Sequence, residues 1–212
     1  MDDKTIQENK QLFITTCEEN IHREGLSRLL AYLEKTDFYE APSSASYHLN
    51  EAGGLCKHSL NVFSIARTLY ESVVQPALSR SDAPFSNEIP LESIAIAALF
   101  HDLCKVKMYK QAERWAKDAA GRWYSYPGYE FQDEFPFGHG EKSCIMVGWF
   151  VPLKQEELLA IRWHMGMFEM PEQGSSTRHA YRAAMEKSPL VALIQAADML
   201  SANCWEKVTK WK

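Results

Sequence analysis

The chain has 212 residues, of which 46% are hydrophobic and 24% charged, with a formal net charge of −5. That length suits one domain with a real core, and the acidic balance gives no basic footprint for long duplex nucleic acid. A short nucleic acid or a nucleotide, held by a local basic pocket, stays within reach of this composition.

The five cysteines (Cys17, Cys56, Cys104, Cys144, Cys204) never take the C-x-x-C spacing of zinc ribbons or redox motifs. Reduced, mostly buried thiols are expected. The opening MDDKTIQENK is polar and acidic, unlike a signal peptide, and no apolar run approaches the roughly 20 residues of a bilayer span. A cytoplasmic protein with no membrane partner is the expectation.

In chain order, residues 5–35 carry helical periodicity, with Leu26, Leu29, Leu30 and Leu33 as an apolar stripe. APSSASYHLNEAGG (41–54) reads as a loop. A long helix is expected from Leu55 to Val74, where Leu55, Val62, Ile65 and Leu69 define one face and His58 falls on it. QPALSRSDAPFSNEIP reads as an exposed connection ending at Pro90. The next helix contains seven consecutive apolar residues, Ile94 to Phe100, followed at once by His101 and Asp102. A polar pair ending a core segment must be solvated, mutually satisfied or bound to something.

Residues 107–132 interleave aromatics and charges around an Ala-Ala-Gly turn, which predicts a small β-hairpin. Its Trp123, Tyr124, Tyr126 and Tyr129 suit a hairpin core, with stacking on a base as the alternative. Helical pattern returns over 140–151, 154–165, 178–187 and 189–207, the last opened by Pro189. The fold class is therefore all-α with a small β insertion. Residues 1–40 form N-terminal helices packing on the bundle and 41–212 the main domain, one globular unit overall. No Gly-rich loop follows a predicted strand, which argues against P-loop chemistry.

More polar residues fall where periodicity predicts core. From Leu190 to Ala202 only Gln195, Asp198 and Ser201 are polar, and an ionised carboxylate inside such a helix costs several kcal/mol unless a cation or several donors compensate. His164 ends the helix EELLAIRWHMGM, and His139 lies between Gly138 and Gly140, which let backbone or ligand approach closely. His22 and His179 lie in charged surroundings and read as solvated. His58, His101, Asp102, His139, His164 and Asp198 thus come from five elements. Four imidazoles and two carboxylates without a thiolate are a first-row transition-metal inventory.

On these residues the chain resembles the HD-domain superfamily of metal-dependent phosphohydrolases. GGLCKHSLNV matches the first-histidine helix, ALFHDLCK the HD helix and AADMLSA the last-aspartate helix. GHGEKS and IRWHMG supply two intervening histidines, giving an H…HD…H…H…D order over roughly residues 45–205. The resemblance implies a helical bundle in which His58, His101, Asp102 and Asp198 ligate one ion, and Asp102 bridges to a second held by His139 and His164. Cys104 stands where the family usually has Gly. One or two divalent ions (Mn, Fe, Co, Ni, Zn or Mg) are implied.

The activity implied is phosphoester hydrolysis by a metal-activated hydroxide, on a nucleotide or short oligonucleotide. Asp102 and Lys105 are the catalytic candidates, Lys105 as the phosphate-binding cation; Lys142, Arg162 and His48 are further substrate-binding candidates. The chain is similar to single-domain bacterial HD hydrolases and to the HD domain of certain 3′→5′ exoribonucleases, although no OB-fold fits here. A small-molecule phosphoester or a short single strand is the expected partner. A di-iron oxygenase and a non-catalytic metal-containing sensor are the rival readings.

Overall fold

The computed structural model describes residues 1–85, 88–169 and 175–209. In chain order the helices are α1 (Asp3–Asn20), α2 (Leu26–Leu33), α3 (Gly54–Leu69), α4 (Gln75–Leu78), α5 (Leu91–Phe100), α6 (His139–Gly148), α7 (Gln155–Arg162), α8 (Ser175–Lys187) and α9 (Pro189–Leu200). Between α5 and α6 lies one antiparallel hairpin of β1 (Tyr109–Lys117) and β2 (Trp123–Phe131). The all-α expectation with a hairpin insertion is the observed architecture. No helix among the described residues is long and apolar enough to cross a membrane.

The uniformly apolar α5 sits where its composition demands, surrounded by α1, α3, α7 and α9. Every residue from Ser93 to Phe100 is buried, because a helix apolar all round has no face to give to water. Helical geometry ends at Asp102 (φ −103°, ψ 18°), and a single 3₁₀ turn over Leu103–Lys105 follows. Lys107 then takes a left-handed φ of 55° and the chain leaves for the hairpin. The HD pair therefore stands at the corner where the core helix stops.

Two π turns modify the expected helix ends. The helix expected to end at Val74 is α-helical to Leu69, opens into a π turn over Tyr70–Val74 and continues as α4. The connection expected from Gln75 thus starts with one more helical turn, with Pro76 directly after the π turn; its Ser86 and Asn87 lie outside the described residues. The final helix likewise ends at Leu200 and widens into a π turn over Ser201–Trp205, closed by Glu206 N–H donating to Ser201 O (3.1 Å).

In the hairpin, Tyr109 pairs with Phe131 and Lys117 with Trp123. Asp118 Oδ1 closes the turn by accepting from the amides of Ala120 (2.8 Å) and Arg122 (2.9 Å). Tyr129 is buried and Tyr124 lies against Tyr126 (centroids 6.0 Å apart), as a hairpin core requires. Trp123 instead faces solvent beneath Lys117.

At the other end of α7, Glu157 is wholly buried. Its carboxylate accepts from Arg23 Nη1 (2.5 Å), Ser93 Oγ (2.7 Å) and the Lys154 amide (2.8 Å). This knot ties the α1–α2 loop, α5 and α7 together.

Candidate metal centre

The six residues singled out in the sequence meet at one place. His58 comes from the buried face of α3, His101 and Asp102 from the end of α5, His139 from the start of α6, His164 from just beyond α7 and Asp198 from α9. His58 Nε2 lies 3.1 Å from Asp198 Oδ1, 3.2 Å from His101 Nε2 and 3.5 Å from Asp102 Oδ2. His101 Nε2 is 3.4 Å from the same Asp102 Oδ2. The other oxygen, Asp102 Oδ1, faces His139 Nε2 at 2.7 Å and His164 Nε2 at 3.4 Å. One carboxylate thus divides two groups of imidazoles, an oxygen to each.

The second group depends on two glycines. Gly138 opens α6 with a φ of +85°, a conformation side chains resist. At Gly140 a Cβ would lie 2.2 Å from the Arg162 carbonyl oxygen. Only an unsubstituted residue lets α6 approach the end of α7 this closely. The close neighbour is backbone rather than ligand, and it brings His139 beside His164 (ring centroids 5.3 Å).

Each inner imidazole has one nitrogen tied down. His101 Nδ1 donates to Ala98 O (2.8 Å) and His164 Nδ1 to Ile161 O (2.7 Å). His58 Nδ1 donates to Glu206, 3.0 Å from both carboxylate oxygens. The free Nε2 atoms all point inward. His164 Nε2 is buried without any hydrogen bond, and the Nε2 atoms of His58 and His101 face each other. Ring nitrogens converging beside two carboxylates form an arrangement suited to a cation.

The electrostatics agree. Burial alone lowers the His58 pKa, but Asp198 and Glu206 outweigh it and lift it to about 10. Burial keeps His101 neutral by lowering its pKa. Burial raises the pKa of Asp102, yet the Lys105 ammonium and His101 beside it hold it well below the usual carboxylate range; His58 does the same for Asp198. The pocket strongly favours positive charge at its centre. Its nitrogen and carboxylate donors suit a divalent transition ion.

A family model described as HD domain matches residues 55–203. The chain belongs to the HD domain family. No curated protein and no solved structure gives a match. HD domains are generally metal-dependent hydrolases, and the buried His/Asp cluster found here is compatible with the HD metal site.

Around this HD cluster the remaining candidates fall apart into two sets. Lys105 lies in the cavity wall with Nζ 2.6 Å from Asp102 Oδ2. His48 lines the same cavity and lies against His58 with the rings tilted (centroids 4.8 Å); burial lowers its pKa to about 4, so it is neutral. Lys142 and Arg162 do not line the cavity. Lys142 Nζ is 2.5 Å from Asp133 Oδ1, and Arg162 pairs with Glu141 (2.5 Å) and covers the Trp163 ring. Trp123, Tyr124, Tyr126 and Tyr129 are absent from its wall too. Cys104 is buried behind the pair, its amide donating to Ser143 Oγ.

Sequence reasoning missed Glu206. Besides His58 it accepts from Ser201 Oγ (2.6 Å) and Asn61 Nδ2 (2.8 Å). Burial raises its pKa, but these donors, His58 first, bring it down to about 2. Such a carboxylate fixes the tautomer and direction of the imidazole it holds. Glu206→Gln should lower affinity for a divalent ion by about 10- to 100-fold with little change in thermal unfolding. Titration of the metal-free variant with Mn²⁺ checks this, and unchanged affinity would mean that Glu206 does not orient His58.

Proposed function

We propose that this chain is a metal-dependent phosphohydrolase acting on a nucleotide or short oligonucleotide. The observation that supports this best is the division of Asp102, with one oxygen facing His58 and His101 and the other His139 and His164. In this reading His58, His101, Asp102 and Asp198 hold one divalent ion, and Asp102, His139 and His164 a second. Bound there, divalent ions supply Lewis acidity towards water and the phosphoryl oxygens.

The chain's own residues do the rest. Ala98 O, Ile161 O and Glu206 keep the Nδ1 protons in place, so that Nε2 is the nitrogen turned to the cluster. The low dielectric around the buried His101 and Asp102 strengthens every charge interaction at the cluster. Lys105 keeps its proton: burial lowers its pKa, but Asp102 more than reverses that. It is the one lysine or arginine among the described residues that line the cavity, which makes it the candidate to bind a phosphoryl oxygen.

Metal analysis of protein purified without chelator should give close to two ions per chain. Mono- and dinucleotides, cyclic nucleotides and generic phosphoesters, screened with Mn²⁺, Fe²⁺, Co²⁺ or Ni²⁺, should then reveal metal-dependent phosphate release. A stably folded, metal-free protein with full activity would sink this reading. Oxygen consumption by the iron form, with no phosphate released, would replace it with an oxygenase.

A further inference from the structure

We infer that the substrate is a small ester with a single phosphate group and a flat, uncharged organic group, rather than a polyphosphate or an oligonucleotide. This rests on the phosphohydrolase reading and narrows it. A cavity of about 460 Å³ opens above the cluster, within the roughly 300–1,000 Å³ typical of small-molecule sites. Its floor is polar, formed by Asp102, His139, His164 and Asp198. Its mouth is apolar. Tyr47, Phe168, Met199 and Val208 line it, and they are 75, 87, 54 and 48% exposed. Large apolar side chains left in water around one opening mark a place where something apolar binds. A ligand matching both ends carries its charge at the floor and a hydrophobic body at the mouth.

Charge count restricts the polar end. Among the described lining residues the single lysine or arginine is Lys105, already 2.6 Å from Asp102. Lys142 and Arg162 lie outside the wall and are paired with Asp133 and Glu141. Polyphosphates are held by Lys and Arg clamps that neutralise each phosphoryl group. Single strands are tracked by a positively charged groove. Neither is found among the described residues, so the cluster itself accommodates one phosphate and the described wall offers no lysine or arginine clamp for a second.

The apolar end has a shape as well. Tyr47 and Phe168 present aromatic rings, which stack on flat groups of any sequence. One end of each nearby amide is engaged within the protein: Gln195 Oε1 accepts from Tyr181 OH (2.5 Å), and Asn203 Nδ2 donates to Met199 O (2.8 Å). The exposed ring faces of Tyr47 and Phe168 are the larger recognition surface, with Gln195 Nε2 and Asn203 Oδ1 left for a polar edge.

The test uses the full chain loaded with Mn²⁺ and compares kcat/KM for adenosine 5′-monophosphate, ATP, the dinucleotide pApA and glycerol 3-phosphate. The monophosphate should exceed ATP and pApA by at least about tenfold, as expected if each further phosphate goes unpaired. In Phe168→Ala the preference for the monophosphate over glycerol 3-phosphate should fall about tenfold, with metal content retained. Turnover of ATP or pApA as efficient as that of the monophosphate would overturn the inference, and so would a preference unaltered in both Phe168→Ala and Tyr47→Ala. Absence of hydrolysis with every ester, at full metal content, would overturn the phosphohydrolase reading and this inference with it.

Discussion

Asp102→Asn should strip the centre of metal and abolish hydrolysis together. Asparagine keeps the shape of the side chain but offers no charge to either group of imidazoles. Since Asp102 faces both groups, its loss should weaken both positions, lowering affinity beyond the about 10- to 100-fold typical of an outer residue. Removing several kcal/mol of metal-derived charge stabilisation corresponds to a loss of about 10³-fold or more in turnover. Elemental analysis and phosphate release measure the two effects.

The surroundings of Asp102 add a second effect that the sequence did not suggest. Asp102 is the counter-ion of the buried Lys105 ammonium. Breaking a buried pair from one side costs about 3–5 kcal/mol because the other charge is left uncompensated. Asp102→Ala, which leaves Lys105 equally unpaired, should therefore also weaken folding. The double variant Asp102→Asn/Lys105→Met separates the effects: the urea midpoint should recover while metal stays absent. Metal retained at the wild-type level in Asp102→Asn would refute the bridging role.

The largest purely structural effect is expected at Arg23→Met. Arg23 is the cation for the fully buried Glu157, and its other terminal nitrogen donates to Glu92 (2.9 Å). Without it Glu157 keeps only Ser93 Oγ and the Lys154 amide, two neutral donors for a full charge. The expected loss is about 3–5 kcal/mol, or a fall in Tm of about 10 °C for a chain of this size. Arg23→Met/Glu157→Gln should regain most of it, because an amide costs far less to bury than a carboxylate. Metal content of the folded fraction should not change, since Glu157 lies in the first turn of α7 and His164 beyond its last. A Tm within about 2 °C of wild type would show that the pair is not needed for stability.

Much of this arrangement could be read from residue order because its elements advertise themselves locally. The unbroken run Ile94–Phe100 requires burial, and each inward histidine or aspartate contradicts the periodicity around it. The hairpin announces itself through alternation about a tight turn. What escaped was set by long-range partners or by departures from 3.6 residues per turn. Glu206 reaches His58 only because the chain widens into a π turn after Leu200, a change that no helical wheel anticipates. Asn61, three residues beyond His58 on the buried face of α3, was the one trace that a polar partner awaited there. Lys142 and Arg162 sit on helices near His139 and His164, as their positions in the chain promised. Whether their long side chains turn to the cavity depends on Asp133 and Glu141, and spacing cannot choose between those directions.

The Glu206 contact also bears on the order in which the protein is made. It joins His58 to a residue 148 positions later, and the same closing segment is fastened to residues 49 and 50 by Lys207 O and the Thr209 amide. A growing polypeptide emerges from the ribosome at about 5–20 residues per second, so His58 waits many seconds for its acceptor. Throughout that interval His58 lacks the carboxylate that orients it, and the ligand set also lacks Asp198. The centre is thus completed only after α9 has been made, so a nascent chain cannot assemble the full set around an ion before the helices that carry it exist.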